Sequence, residues 1–151
     1  MSSVPSTAFR LHPQLHEDTI HLGDFPLCQL LLLKNATLPW YILVPMLPGL
    51  REIHDLSRAH QHQLVDESSQ LAMLMQQLHS PSKLNIAALG NMVPQLHLHH
   101  IARYESDPAW PGPVWGNLPA AAYDEAALEQ LVERLHAHMP AFFTFARPWE
   151  R

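Results

Sequence analysis

Gly90-Asn-Met-Val-Pro-Gln-Leu-His-Leu-His-His-Ile-Ala-Arg103 carries the strongest structural signal in this chain. Side chains alternate between the two faces of a β-strand, so the spacing sorts this stretch into two sets. One face carries an amide and two imidazoles in a row, followed by an aliphatic side chain: Gln95, His97, His99 and Ile101. The opposite face carries Leu96, Leu98 and His100, and we expect its leucines to anchor the strand in the core. The stretch therefore predicts a strand with one buried face and one face equipped for chemistry.

The composition limits the classes of protein to which this chain can belong. The chain has 151 residues, of which 47% are apolar, which suits one domain with its own core. Nine Lys and Arg against fourteen Asp and Glu give a net charge of −5, which argues against a nucleic-acid-binding surface. No apolar run approaches the ~20 residues that span a bilayer, and no secretory signal pattern is visible. The single cysteine, Cys28, favours a reducing compartment, so we expect a cytoplasmic protein without nucleic-acid or membrane partners.

The apolar pattern predicts a mixed organisation of strands and helices. Short apolar runs bounded by Gly, Pro and Asn predict five strands, over 19–22, 28–33, 40–44, 84–89 and 96–102. Gly90-Asn91 predicts a tight turn between the last two. Apolar residues spaced by three and four predict a long helix over 57–78 and a C-terminal helix with Asp124 as its N-cap.

These elements define the predicted architecture. Short connections favour antiparallel neighbours, so the predicted fold class is α+β with one five-stranded antiparallel sheet, one long helix and a C-terminal helix. Residues 1–10 are polar and without periodicity, which predicts a loose N-terminal arm. Residues 11–151 are predicted to form a single domain.

Twelve histidines in a chain with 15% charged residues direct attention to imidazole chemistry. Two imidazoles on one strand face suit a metal site, or nucleophilic catalysis at phosphorus, where one ring attacks and its neighbours stabilise charge. They are also compatible with ordinary half-buried histidines. The metal interpretation is weaker, because the glycine and glutamate spacings of a cupin-type motif do not fit around His97 and His99. Pairs such as His60 and His62 point apart on a helix. A His-based metal-dependent enzyme therefore stays an alternative.

The histidine strand resembles the signature of the histidine triad (HIT) superfamily of nucleotide hydrolases and transferases. That motif is His-x-His-x-His with apolar x, on the last strand of a five-stranded antiparallel sheet. In an ungapped alignment Gln95 occupies the first triad position, His97 the second and His99 the third. Asn91 then falls on an upstream turn amide and Arg103 on a trailing arginine.

A second register is possible within the same resemblance. It makes His97 the first triad histidine and His99 the nucleophile, and it leaves Ile101 in the third position. Isoleucine cannot hydrogen-bond a phosphate, so the first register is preferred, with Gln95 replacing the first histidine.

The resemblance also covers segments outside the histidine strand. Leu-Leu-Lys-Asn35, a short turn and Tyr41-Ile-Leu-Val-Pro45 resemble two strands of the family, in which the asparagine contacts the ribose of the nucleotide. Asn35 is equally compatible with a simple turn residue between strands. The stretch Trp110-Pro-Gly-Pro-Val-Trp115 resembles a bacterial subgroup of HIT-like hydrolases.

The resemblance implies an activity and a role for each residue. The activity is hydrolysis or nucleotidyl transfer at the α-phosphate of nucleoside phosphate esters, phosphoramidates or dinucleoside polyphosphates. His97 would be the nucleophile that forms a nucleotidyl-histidine intermediate, while His99 and Gln95 would donate to the phosphate oxygens. His99 would also help the leaving group to accept a proton. Nucleotide-binding residues would be Asn35, Asn91 and Arg103.

The resemblance also implies what accompanies the chain. It implies a homodimer acting on a small nucleotide substrate, with no metal and no cofactor. Because Gln95 alters the triad, a nucleotide-binding module with little turnover is the alternative function.

Overall fold

A computed structural model describes residues 8–146, which form a six-stranded antiparallel sheet with three helices. The strands are β1 Thr19–Asp24, β2 Cys28–Leu33, β3 Trp40–Pro45, β4 Lys83–Ala87, β5 Leu98–Arg103 and β6 Thr144–Phe145. The helices are α1 Pro13–Asp18, α2 Arg58–His79 and α3 Glu125–His138, and a 3₁₀ turn spans Ile53–Asp55. The strand order is β4-β5-β3-β2-β1-β6, with every neighbouring pair antiparallel. The predicted α+β class is confirmed.

The predicted strands and long helices correspond to β1–β5, α2 and α3, and two details need correction. The sheet has six strands instead of five, because Thr144 and Phe145 pair with β1. Two residues are too short for any alternation to signal a strand. The prediction of a tight turn at Gly90-Asn91 is also wrong, because a longer loop over 88–97 joins β4 and β5. Leu96 holds that loop in place, because it is buried and its N–H donates to the Leu50 carbonyl at 3.0 Å.

Side-chain caps fix where the two long helices begin. Ser57 caps α2, where its hydroxyl accepts the N–H of His60 at 3.1 Å. Asp124 caps α3 as predicted, accepting the N–H of Ala127 at 2.7 Å. Helix α2 ends at His79, and its C-cap residue Ser80 has a φ of 45°, which places it in the left-handed region.

The sheet has two apolar faces that are covered by different parts of the chain. On the first, which we call the helix face, Leu30 of β2 and Leu98 of β5 lie in one buried cluster with Leu71 of α2 and Leu135 of α3. The second, which we call the loop face, carries Leu31, Trp40, Ile42 and Ile101 and is covered by Leu15 of α1 and Val114 of the loop before α3. Alternation along β5 therefore divides its side chains between a helical layer and a loop layer.

Part of the predicted N-terminal arm contacts the loop face. Residues 1–7 lie outside the described residues. Phe9 packs against the loop-face cluster, and the Arg10 carbonyl accepts a hydrogen bond from Gln95 Nε2 at 2.8 Å. Residues 9 and 10 are thus held against the domain, at the end of β5 where the histidines lie.

Candidate active site

Two histidine rings meet where the chain enters β5. His97 immediately precedes the strand and His99 lies within it. Their ring centroids are 4.9 Å apart and the ring planes are inclined at 70°. Both residues are buried, with 7% and 8% of their surface exposed. The predicted alternation thus brings the two imidazoles side by side.

A backbone carbonyl fixes the tautomer of His97. Its Nδ1 lies 2.6 Å from the carbonyl oxygen of Gln95, which can only accept, so Nδ1 carries the proton. Burial lowers the pKa of His97; the bond to the Gln95 carbonyl opposes this, and nearby His12 lowers the pKa further. The ring is therefore neutral at neutral pH and has its lone pair on Nε2.

An indole fixes the opposite tautomer of His99. Trp40 Nε1–H donates to His99 Nδ1 at 2.9 Å, and because an indole can only donate, the proton of His99 lies on Nε2. Trp40 and Trp115 also contact the imidazole edge to face, with centroid distances of 5.6 and 5.3 Å. Burial, assisted by the neighbouring His97 and His100, lowers the pKa of His99 to about 4. Within residues 8–146 neither Nε2 of the pair bonds another residue, so a lone pair and an N–H are offered side by side.

Gln95 uses its backbone and its side chain for different purposes. Its carbonyl binds His97, while its amide binds the N-terminal segment: Oε1 accepts the N–H of His12 at 2.9 Å and Nε2 donates to Arg10. His12 in turn caps α1, because its Nδ1 accepts the N–H of Gln14 at 3.1 Å. A direct contact between the Gln95 amide and a phosphate stays a prediction.

The structure places Arg103 in an internal network. It is 2% exposed, it donates to both carboxylate oxygens of Asp107 at 2.9 and 3.1 Å, and it donates to Asn85 Oδ1 at 2.8 Å. The hydrogen bond from Arg103 lowers the pKa of Asp107 to about 2, although burial opposes it. The guanidinium also lies 5.8 Å from the ring centroid of Trp110. These bonds join β5 to β4 and to the loop that follows β5.

The two predicted asparagines lie in loops. Asn35 Oδ1 accepts the N–H of Thr37 at 3.0 Å, and Asn35 Nδ2 donates to the Pro119 carbonyl at 3.2 Å, as expected for a turn residue. Asn91 is exposed in the loop over 88–97. Neither side chain hydrogen-bonds His97 or His99, so their contacts with a nucleotide stay predictions.

Three residues of the site were not identified from the sequence. Trp40 reaches His99 because β3 lies beside β5, with Trp40 opposite Ile101, and no sequence signal gives that register. His12 reaches the site because Gln95 binds its backbone from 83 positions away in the chain. Arg51 lines a small cleft together with Glu52 and with residues of the loop over 88–97, among them His97.

Two features of the described part of the chain bear on the alternative functions. Between residues 8 and 146, no three His, Cys, Asp or Glu side chains converge as metal ligands do. The alternative of a His-based metal enzyme therefore has no support from this geometry. None of the helices in the same range is long and apolar enough to cross a membrane.

Comparisons with known proteins agree with this geometry. Residues 14–106 match the HIT domain family. A crystal structure of a histidine triad protein from Bradyrhizobium japonicum is 44% identical, with a TM-score of 0.86, covering 88% of this chain and 99% of that one. One from Marinobacter aquaeolei is 50% identical with a TM-score of 0.83, covering 86% and 95%. One from Sinorhizobium meliloti is 38% identical with a TM-score of 0.83, covering 87% and 97%. No curated protein matches the chain at a significant level.

Proposed function

The chain belongs to the HIT domain family, and from that premise we propose that it is a nucleotide hydrolase or nucleotidyl transferase. Its substrates would be nucleoside phosphate esters, phosphoramidates or dinucleoside polyphosphates, attacked at the α-phosphorus. The observation that carries the proposal is the pair of opposed tautomers, with a lone pair on Nε2 of His97 and a proton on Nε2 of His99. A nucleophile beside a hydrogen-bond donor is what displacement at phosphorus requires.

The chemistry proceeds in two displacements. The Nε2 lone pair of His97 forms a bond to the α-phosphorus, and the bond to the leaving group breaks with its electron pair on the leaving atom. The Gln95 carbonyl stabilises the positive charge that the ring then carries, through the proton on Nδ1. A water oxygen next attacks phosphorus and gives up a proton to bulk water, while the P–N bond breaks and its electron pair returns to Nε2. His99 Nε2–H donates to a non-bridging oxygen in both steps.

Covalent labelling tests the proposal. Protein mixed with the p-nitrophenyl ester of AMP and quenched at neutral to alkaline pH is expected to carry a nucleotide adduct on His97, by mass spectrometry. His97→Ala is expected to lose turnover by a factor on the order of 10³ or more and to lose the adduct, because the nucleophile is gone. His60→Ala, on the exposed start of α2, is the matched control and is expected to behave as wild type.

Two outcomes would contradict the proposal in different ways. An adduct on His99, or one retained in His97→Ala, restores the second register of the motif. Binding of AMP with no turnover and no adduct supports the nucleotide-binding module instead.

We also propose that the protein is a homodimer, which the sheet edge supports. Strand β4 ends the sheet on one side, so one row of its backbone groups faces outward. Exposed apolar residues lie on β4 and on α2: Ile86 at 48%, Val65 at 62% and Met73 at 67%. Light scattering is expected to give about twice the 17.2 kDa of one chain. A monomer at micromolar concentration would contradict the homodimer.

A further inference from the structure

We propose that Trp40 determines which leaving groups the enzyme accepts, because its donor-only indole keeps His99 from acting as a proton donor to the leaving group. The inference rests on the proposed function and refines it. It concerns one contact, the 2.9 Å hydrogen bond from Trp40 Nε1 to His99 Nδ1.

The hydrogen bond restricts His99 to one protonation state. An imidazole that gives up a proton at neutral pH must first be an imidazolium, with N–H groups at both nitrogens. In His99 the second proton would have to enter at Nδ1, where it would face the N–H of Trp40. The indole has no lone pair with which to accept it, so protonation would replace an attraction with a repulsion. His99 therefore stays neutral, and a neutral imidazole stabilises charge by hydrogen bonding without transferring its proton.

The contact is built into the fold and does not depend on a mobile surface group. Trp40 is 7% exposed and His99 is 8% exposed, and both lie on the loop face. Trp40 also packs edge to face on Trp115, with a centroid distance of 5.7 Å. Rotation of the indole away from His99 would therefore disturb a packed aromatic cluster.

No other described group near the two histidines replaces the missing acid. His12 Nδ1 accepts the N–H of Gln14, so this nitrogen is already engaged in capping α1. His100 points to the helix face, where Leu98 and Ser68 bond its two nitrogens. Arg51 and Glu52 line the adjoining cleft, but within residues 8–146 neither side chain hydrogen-bonds His97 or His99.

The leaving group must consequently depart as a stable anion. When His97 attacks a phosphate anhydride or a nitrophenyl ester, the P–O bond breaks and the electron pair rests on an oxygen of low basicity. When it attacks a phosphoramidate or an alkyl ester, the departing nitrogen or oxygen is strongly basic and must receive a proton as the bond breaks. The first class therefore suits this site and the second does not.

Two measurements on the wild-type protein test this directly. The value of kcat/KM is compared for diadenosine triphosphate and for the phosphoramidate of AMP, which share their nucleoside. We expect the anhydride to be favoured by on the order of 10²-fold or more, which is the usual contribution of a general acid. Nitrogen-15 NMR of the histidine rings is expected to show His99 neutral, with its proton on Nε2, from pH 5 to pH 8.

A pair of variants assigns the effect to the indole N–H. Trp40→Phe removes the donor, keeps an aromatic ring, and is expected to reduce the preference for the anhydride at least about tenfold, as Nδ1 becomes free to take a proton. Trp115→Phe is the matched control, because Trp115 touches the same imidazole without a hydrogen bond to it, and the preference is expected to be unchanged. The NMR tautomer of His99 is expected to change in Trp40→Phe alone.

The outcomes separate this inference from the proposed function. Equal rates for the two substrates, or a preference that survives in Trp40→Phe, would overturn the role of Trp40 while leaving the enzyme intact. An imidazolium signal from His99 at neutral pH would overturn it even if no substrate is turned over. Loss of all turnover together with the expected tautomer would refute the proposed function and leave the Trp40 contact established.

Discussion

The two faces of β5 hold buried histidines in opposite situations. His100, on the helix face, is 0% exposed and both of its nitrogens are bonded: Nδ1 lies 3.1 Å from the Leu98 carbonyl and Nε2 lies 2.7 Å from Ser68 Oγ. His99, its neighbour on the loop face, has one nitrogen bonded to Trp40 and the other bonded to no residue between 8 and 146. Burial is the leading cause that lowers the pKa of each to about 4.

The difference shows that a lowered pKa does not by itself identify a functional histidine. Desolvation acts on both rings alike, since both are enclosed. What separates them is hydrogen bonding: a ring with both nitrogens satisfied is part of the core, and a ring with one nitrogen available can meet a ligand.

The largest expected effect is on catalysis and is confined to the loop face. His99→Ala removes a donor to the phosphate, so we expect kcat to fall by a factor on the order of 10² to 10³, with the His97 adduct still forming. His100→Ala is expected to change kcat by less than about tenfold at a temperature where it stays folded, because it removes no group from the site. Steady-state kinetics and adduct mass spectrometry compare the two. Equal losses of kcat in both variants would contradict the prediction that only the loop face of β5 takes part in catalysis.

The next effect is on stability and is confined to the helix face. His100→Ala leaves a cavity and removes the partner of Ser68, so we expect the free energy of unfolding to fall by about 2–4 kcal/mol. Ser68→Ala is expected to cost less, about 1–2 kcal/mol, and the double variant less than the sum, because the two share one hydrogen bond. Urea unfolding measures all three. Additive losses would show that the Ser68–His100 bond is not a stabilising pair.

A smaller effect concerns the pH dependence of stability. His79, His99 and His100 each have a pKa of about 4 in the folded protein against an ordinary value of 6.5, chiefly because of burial. The unfolded chain therefore binds more protons between those two values, and stability falls as the pH is lowered through this range. We expect a loss on the order of 2 kcal/mol for each of these rings between pH 7 and pH 5.

A matched variant tests which groups cause that loss. His60→Ala, which removes an exposed imidazole, is expected to leave the slope of unfolding free energy against pH unchanged, whereas His100→Leu is expected to reduce it. Urea unfolding at a series of pH values measures the slope. Stability that is constant or that rises toward pH 5 would contradict the neutral, buried state of these rings.

The sequence predicted the parts of this molecule that depend on periodicity. Alternation placed His97 and His99 together and sent Leu98 to the core, and spacings of three and four located α2. Periodicity can be recognised in a sequence because the geometry of a helix or strand decides which of its residues face the core. The family resemblance added the roles, which no spacing provides.

Contacts between distant segments were not predictable in this way. The bond from Trp40 to His99 depends on the register between β3 and β5, and the bond from Gln95 to His12 closes a span of 83 positions. Such contacts leave no local pattern in the sequence, because each residue fits the apolar periodicity of its own strand or loop whether or not the distant contact forms. Arg103 illustrates the same limit, because its internal bonds to Asp107 and Asn85 were not predictable from the motif, while its contact with a nucleotide stays a prediction.

The smallest expected effect is at Gln95, where the structure and the family alignment lead to different expectations. The alignment places Gln95 at the first triad position, in contact with phosphate. In the structure its amide binds the backbone of Arg10 and His12, and it is the carbonyl that orients His97. A carbonyl is retained in every substitution, so Gln95→Ala is expected to lower kcat by less than about tenfold and to cost about 1 kcal/mol of stability for two partly exposed hydrogen bonds.

Hydrogen exchange distinguishes the two roles of that amide. In Gln95→Ala the backbone N–H of His12 loses its acceptor, so exchange at residues 10–12 is expected to accelerate, while exchange in β5 is unchanged. Gln95→His is the matched variant, because it restores the usual triad residue and is expected to keep or raise turnover. If Gln95→Ala instead loses as much kcat as His99→Ala, with exchange at residues 10–12 unaltered, the amide leaves the N-terminal segment to meet the substrate. Gln95 would then contact the phosphate together with His97 and His99, as the family alignment places it, instead of only holding the N-terminal segment.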